Sequence, residues 1–393
     1  MKKQTAAIHT GFQREDAYGS LAMPVYHTAA YEFTNAADMI ESFCGRSDSP
    51  DYSRVMNPTV TFFENKVKSL TGANDVIAFT SGMAAISNTL MALSGAGKNV
   101  VTSRHVFGNT YALFSRTLSR FGVEARFVDL INLEEVKKAV DENTCCIFFE
   151  SLTNPQMEVA DVKALSEIAH KAGAALVEDT TMIPFTEFSA KELGVDIEVV
   201  SSTKYISGGA TTIGGLVIDY GTIEGFSARM RFEMLLNMGA YMTPHVAYMQ
   251  ALGLENLDAR YRLQSSNALE LARRLREIPE IKEVNYVGLE DNPFHEISKR
   301  QYGPTFGGMI TFELSDREAC FNFINSLKLI KRATNLFDNK TLAIHPASTI
   351  FGPFTDDERK AMDVLDTTIR ISVGLEDVDD LVADIRQALR HEP

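Results

Sequence analysis

Cysteine is scarce in this 393-residue chain, with four copies at Cys44, Cys145, Cys146 and Cys320. They form no C-x-x-C pair and keep no regular spacing, so they read as reduced core residues rather than a disulfide framework or a metal site. No run approaches the roughly 18 apolar residues of a membrane span, and Met1–Thr5 lacks the apolar stretch of a secretory signal. A cytoplasmic protein with no membrane partner is expected. Basic residues are in deficit, since 38 Lys and Arg against 52 Asp and Glu leave a net charge of −14. Such a surface repels a phosphate polyanion, so nucleic acid is not an expected partner. With 25 Gly and 12 Pro the chain is not collagen-like or of low complexity. What is present is ordinary globular composition, 45% hydrophobic and 23% charged, long enough for two or three domains.

Residues 1–57 show no sustained periodicity and include the polar stretch Gly45–Asp51, which reads as an arm. From Gly72 to Gly221, β-rich runs (Val76–Phe79, Val100–Thr102, Ala125–Val128, Cys145–Phe149, Ala174–Val177, Ile197–Val200, Leu216–Ile218) alternate with helical spacing such as Leu133–Val140 and Val162–Ala172. That alternation predicts an α/β fold with a mostly parallel central sheet covered on both faces. Ligands of such sheets bind at the carboxyl ends of the strands. One long helical stretch is expected from Pro244 to Ile278, opening a smaller C-terminal α+β domain. That domain carries strands at Met309–Leu314 and Thr368–Val373 and helices at Arg317–Leu327 and Val378–Leu389. The expected divisions are 1–57, 58–246 and 247–393.

Four segments end β-rich runs with polar residues. Thr80-Ser81-Gly82-Met83 leads a strand into a helix, where unpaired backbone N–H groups favour an anion. Asp179 closes Ala175–Val177, Lys204 follows Ser201-Ser202-Thr203 and precedes a glycine turn, and Arg370 sits inside Thr368–Val373. Each also fits a plain role: an N-cap at Ser81, a turn acid at Asp179, a solvated Lys204, a structural ion pair at Arg370. Together they provide an amine for a Schiff base, a carboxylate for a pyridinium nitrogen, a helix start for a phosphate and a guanidinium for a carboxylate. That is the apparatus of a pyridoxal-phosphate enzyme acting on an amino acid. Competing motifs fail. Ser201–Lys204 matches S-x-x-K but follows a strand and lacks the partner S-D-N and K-T-G elements; Gly95–Asn99 is no P-loop; no G-x-G-x-x-G or H-E-x-x-H occurs. A non-enzymatic nucleotide-binding α/β protein would leave Lys204, Asp179 and Arg370 unexplained.

The order of further segments strongly resembles the cysteine/methionine metabolism family of pyridoxal-phosphate enzymes, in the aspartate aminotransferase fold class (fold type I). The resemblance spans the chain and rests on Ile8–Gly11, Pro24–Tyr26, Tyr52–Thr59, Ser81–Met83, Glu150–Pro155, Asp179–Thr181, Ser201–Gly208, His345–Ser348 and Arg370–Asp377. It implies that Lys204 holds the cofactor and shuttles protons, that Asp179 pairs with its ring nitrogen and that Asn154 lies near its 3-oxygen. Ser81, Gly82, Met83, Ser201 and Thr203 would surround the phosphate, while Phe107 stacks on the ring. Arg370, with Asn335 and Asn154, would take the substrate. Tyr52 and Arg54 would reach the cofactor of a neighbouring subunit, so the resemblance implies shared sites and a homotetramer whose arm contacts its neighbour.

Two departures bear on the substrate. Family members usually carry tyrosine where this chain has Phe107, and methionine gamma-lyases often carry cysteine where it has Asn109. The stretch Thr334–Leu342 resembles the version found in acylhomoserine sulfhydrylases. The expected reaction is therefore formation of homocysteine from O-acetylhomoserine or O-succinylhomoserine and sulfide, with methionine gamma-lyase or a cystathionine enzyme as the alternative. Tyr52 is the expected further catalytic residue; the consequence of Ile350–Pro353 is left unassigned.

Overall fold

Seven short runs rich in β-branched and aromatic residues pair into one sheet: β1 Asp75–Phe79, β2 Asn99–Ser103, β3 Glu124–Val128, β4 Thr144–Glu150, β5 Ala175–Asp179, β6 Ile197–Val200 and β7 Gly215–Asp219. The computed structural model describes residues 1–10 and 18–390. The strand order is β1-β7-β6-β5-β4-β2-β3. Strands β2 to β6 run parallel. β7 opposes both β6 and β1, so the sheet is mixed at that one strand. An antiparallel return needs no crossover helix, which is why the chain passes from β6 through the Lys204 segment into β7 by loop alone.

Strand alternation divides the core in two. Phe79, Phe148, Val177 and Val199 face the helix Gly82–Leu93, whereas Ala78, Phe149, Leu176 and Val200 face the helices Pro58–Thr71, Val162–Lys171 and Pro244–Glu255. Adjacent Phe148 and Phe149 are thereby buried on opposite faces, each contributing about 1.5–3 kcal/mol of transfer free energy.

The second domain is a sheet of β8 Glu283–Asn285, β9 Met309–Glu313, β10 Lys331–Arg332, β11 Leu342–Ile344 and β12 Thr368–Ser372, in the order β10-β11-β12-β9-β8. β12 lies in its centre, with Arg370 paired across to Ile344 and Thr311. Helices Leu257–Leu275, Arg317–Ser326 and Val378–Leu389 cover the sheet through Leu271, Phe323 and Ile385.

Several sequence expectations need correction. The single helix over Pro244–Ile278 is two helices, Pro244–Glu255 and Leu257–Leu275, separated by Asn256 at φ −113° and ψ 11°. The Asn256 side chain accepts from Arg260 Nε at 2.6 Å, a local bond that competes with helix continuation. Among its described residues the arm contains two helices, Lys3–His9 and Ala36–Phe43. Lys3 Nζ anchors the first on the carbonyls of Phe185 and Phe188, at 3.0 and 2.6 Å. Part of the arm, residues 11–17, lies outside the described residues, and with it Gly11 of the Ile8–Gly11 motif. Cysteine is not uniformly a core residue: Cys146 and Cys320 are buried, Cys145 is partly so, and Cys44 is exposed at the end of the second arm helix. Among the described residues no helix is long and apolar enough to cross a membrane.

Candidate active site

Five strands of the large sheet deliver residues to one cavity of about 570 Å3. Ser81, Gly82 and Met83 follow β1, Phe107 and Asn109 follow β2, Glu150 and Asn154 come from the end of β4, Asp179 and Thr181 from β5, and Ser201, Thr203 and Lys204 from β6. These are the ends from which parallel strands present ligand-binding loops. The second domain closes the cavity with Arg370 of β12 and with Thr334, Leu336, Thr349 and Ile350.

The helix Gly82–Leu93 starts against the Lys204 segment because residue 82 has no side chain. A Cβ there would lie 2.5 Å from Ser201 Cβ. Ser81 does act as an N-cap, accepting from Ala84 N at 3.1 Å. The N–H groups of Gly82 and Met83 occupy the first two helical positions, have no intrahelical acceptor and face an anion site. The Ser201 backbone N–H donates to Thr181 Oγ1 at 2.8 Å, and Thr203 Oγ1 exchanges bonds with Gly214 N and O at 3.0 and 3.2 Å. These bonds fix the turn that carries Lys204.

Lys204 Nζ donates to Asn335 Oδ1 at 3.0 Å. Burial, and then the charge of Arg370, lower its pKa to about 8. A neutral amine is thus accessible near physiological pH. Burial raises Asp179 to about 6, against two stabilising bonds from Thr181, one of them from its backbone N–H to Asp179 Oδ1 at 2.9 Å. Glu150 is pushed well above the ordinary carboxylate range, first by burial and then by the charge of Asp179, its register partner on β5. Its Oε1 accepts the Phe107 backbone N–H at 2.7 Å, which anchors the backbone of a cavity-lining residue.

Arg370 is 2% exposed. Nη1 reaches Asn154 Oδ1 at 3.2 Å, and Nη2 reaches the carbonyls of Thr334 and Asn335 at 3.3 and 3.4 Å. Among the described residues no carboxylate pairs with it, and its buried Nε has no acceptor. The structural ion pair is therefore eliminated. A buried guanidinium with no protein counter-charge is built for an anion from outside the chain.

Eleven of the thirteen residues expected at the site meet here, Asn335 through its bond to Lys204. Tyr52 and Arg54 do not line the cavity of their own chain. Tyr52 is 45% exposed and the Arg54 guanidinium stands 5.5 Å from its ring centroid. Sequence reasoning passed over Glu150, Thr181, Thr349 and Ile350 as site residues. Glu150 could have been found, since its strand register with Asp179 follows from the paired β-rich runs. Thr349 and Ile350 come from a loop whose path no periodicity reveals.

The model of the Cys/Met metabolism PLP-dependent enzymes matches residues 4–390. The chain belongs to that family. An L-methionine gamma-lyase of Fusobacterium nucleatum is 41% identical over 99% of both chains. An O-succinylhomoserine sulfhydrylase of Pseudomonas aeruginosa is 37% identical over 98% of this chain and 94% of that protein. A Campylobacter jejuni structure assigned as an O-acetylhomoserine (thiol)-lyase superposes at a TM-score of 0.95 with 33% identity, over 99% of this chain and 100% of that one. It carries N′-pyridoxyl-lysine-5′-monophosphate at its position 205. The fold is that of the type I PLP enzymes and the cofactor is pyridoxal phosphate. The cavity fits it: a helix start for the phosphate, a buried acid for the ring nitrogen and a depressed lysine amine at one sheet edge.

Addition of the Lys204 amine to an aldehyde requires its neutral form, and the neutral fraction grows as pH rises through about 8. The rate of pyridoxal-phosphate uptake by cofactor-free protein is expected to rise with that midpoint, followed by the visible absorbance band. In Lys204→Ala the band is expected to be absent at every pH.

Proposed function

We propose that this family member catalyses γ-replacement on an O-acylhomoserine, with sulfide as nucleophile and homocysteine as product. The observation that carries the reading is the cavity lining at position 107. Phe107 faces the cavity, Asn109 stands beside it, and no tyrosine or cysteine lines the cavity among the described residues. Tyr111 is turned away, stacked on Phe127 at 4.4 Å and edge-on to Phe354 at 5.8 Å. A thiolate whose conjugate acid titrates near ~8.5 needs a proton from an acid of the site far more than a carboxylate near ~4 does. That difference of about 4–5 pKa units, at about 1.4 kcal/mol each, favours an acyl leaving group where the chain's own cavity offers no phenol.

The bound cofactor supplies an electron sink that makes the α proton of an amino acid acidic. The chain supplies the rest. Arg370 binds the α-carboxylate, assisted by Asn154 and Asn335. Lys204 would hold the cofactor through Nζ, and its neutral amine, when free, is placed to take the α proton and pass it onward. Asp179 keeps a proton on the ring nitrogen. Ser81, Gly82, Met83, Ser201 and Thr203 would hold the phosphate, and Phe107 would supply an aromatic face to the ring. Tyr52 and Arg54 complete the phosphate site of a second copy in a homotetramer built from dimers. Their position outside their own cavity supports this, as do the exposed apolar side chains Leu21, Ile40 and Phe43 of the arm and Phe232 beyond β7. The second reading, methionine gamma-elimination, is favoured by the 41% identity to a methionine gamma-lyase.

Product analysis separates the two readings. Homocysteine is expected from O-acetylhomoserine or O-succinylhomoserine only when sulfide is added, with methionine turned over at least about tenfold more slowly, a gap of about 1.4 kcal/mol. Rapid 2-oxobutanoate and methanethiol from methionine alone would overturn the choice. Phe107→Tyr is expected to raise elimination from methionine relative to replacement on the acylhomoserine. Shared sites have their own test. Arg54→Ala and Lys204→Ala subunits, each inactive alone, are expected on mixing to regain about a quarter of the native sites, because half of the randomly paired dimers carry one intact site of two.

A further inference from the structure

Outside the catalytic cavity, both ring nitrogens of His105 face carboxylates from different domains. His105 follows β2 and lies two residues before Phe107. Its Nδ1 stands 2.6 Å from Glu158 Oε2, beyond β4, and its Nε2 stands 2.9 Å from Asp363 Oδ2, beyond the second-domain helix Asp356–Ala361. A neutral imidazole has a single N–H, so only the imidazolium donates to both oxygens. Asp363 holds a left-handed backbone conformation at φ +52°, a position that the contact at its side chain helps to fix.

Around this contact the second domain is bound to the segments that follow β2 and β4. Gln156 Nε2 donates to the Met362 carbonyl at 2.6 Å, and Arg116 Nη2 to Glu358 Oε1 at 2.8 Å. A Cβ at Gly108 would lie 2.9 Å from the Ile350 carbonyl, so the two backbones touch. The second-domain segment 346–364 that ends at these contacts includes Thr349 and Ile350, which line the cavity together with Phe107.

We propose that His105 is a positioning residue, bridging Glu158 and Asp363 so as to hold segment 346–364 against the Phe107 segment and thereby set the affinity of the cavity for amino acids. The bridge does not touch substrate; it acts through Ile350 and Thr349. It is independent of which γ-substituent leaves, and so stands apart from the choice between replacement and elimination.

The titratable groups facing His105 are Glu158 and Asp363. Its neighbour Arg104 is directed to Glu135, at 3.6 Å. Burial opposes the imidazolium, and the two carboxylates outweigh it, leaving the His105 pKa above the ordinary value. With a raised folded value the bridge is complete below about pH 6.5 and is lost as pH rises through that higher pKa.

The test uses holoenzyme and L-norleucine, an amino acid with no γ leaving group, whose binding is followed by the visible spectrum of the cofactor. Between about pH 6.5 and 9.5 the wild-type dissociation constant is expected to weaken about fivefold to tenfold more than that of His105→Gln, which already binds weakly at the lower pH. Asp363→Asn, at a side chain 67% exposed and so safe for folding, is expected to move the same transition to lower pH. Amide hydrogen exchange in 346–364 is expected to quicken in His105→Gln with exchange in β4 and β5 unchanged. Wild-type affinity, pH profile and exchange in both variants would overturn the proposal. If His105→Gln fails to fold, an unshifted profile in Asp363→Asn overturns it alone.

Discussion

The site is organised by a buried positive charge that the chain does not neutralise. Arg370 lies in the central strand of the second sheet, held in register between Ile344 and Thr311, so its backbone cannot move to bring the guanidinium into water. An isolated buried charge costs several kcal/mol even after relaxation. Here dipoles of the Asn154 amide and the Thr334 and Asn335 carbonyls offset part of that cost without cancelling the charge. The remaining field acts on its surroundings. It adds to the burial that depresses the Lys204 amine and leaves an anion-binding guanidinium in the cavity lining. On the function proposed above, a substrate carboxylate would supply the counter-charge that the chain lacks.

The large sheet was legible in the sequence because every strand is an apolar run ended by polar residues, and its site residues stand at those ends. Ser81, Asp179 and Lys204 could be placed from position alone, since parallel strands present their carboxyl ends together. The same logic does not reach the second domain. Arg370 stood out as a charge inside a β-branched run, but whether it paired with a carboxylate was not readable, because ion pairs are made by side chains distant in sequence. The direction of β7, expected as the run Leu216–Ile218, was not readable for a related reason: a fully buried strand reads as the same apolar run in either direction. The break at Asn256 was missed because leucine spacing continues across it, while the bond that ends the helix involves one side chain. Cys44 was misplaced because cysteine composition carries no information about a helix end on the arm.

Strand β5 shows how the fold separates acids that lie next to one another. Alternation puts Glu178 on the face away from the cavity, beside Glu198 of β6 and bonded by the Tyr302 hydroxyl at 2.7 Å, with Tyr220 donating to Glu198. Burial raises both carboxyl groups, which favours their neutral forms, so little negative charge sits behind the sheet. On the cavity face Asp179 adjoins Glu150, and two like charges so close in a dry site do not both ionise. Glu150 is raised well above its ordinary range, while the bonds from Thr181 hold Asp179 to about 6. The pair therefore divides in a definite sense, with Asp179 as the carboxylate and Glu150 as the acid that stays protonated. A cationic ring nitrogen brought to Asp179 would lower it further and deepen the division. The neutral Glu150 retains its second task, accepting the Phe107 backbone N–H without adding a negative charge to the cavity lining.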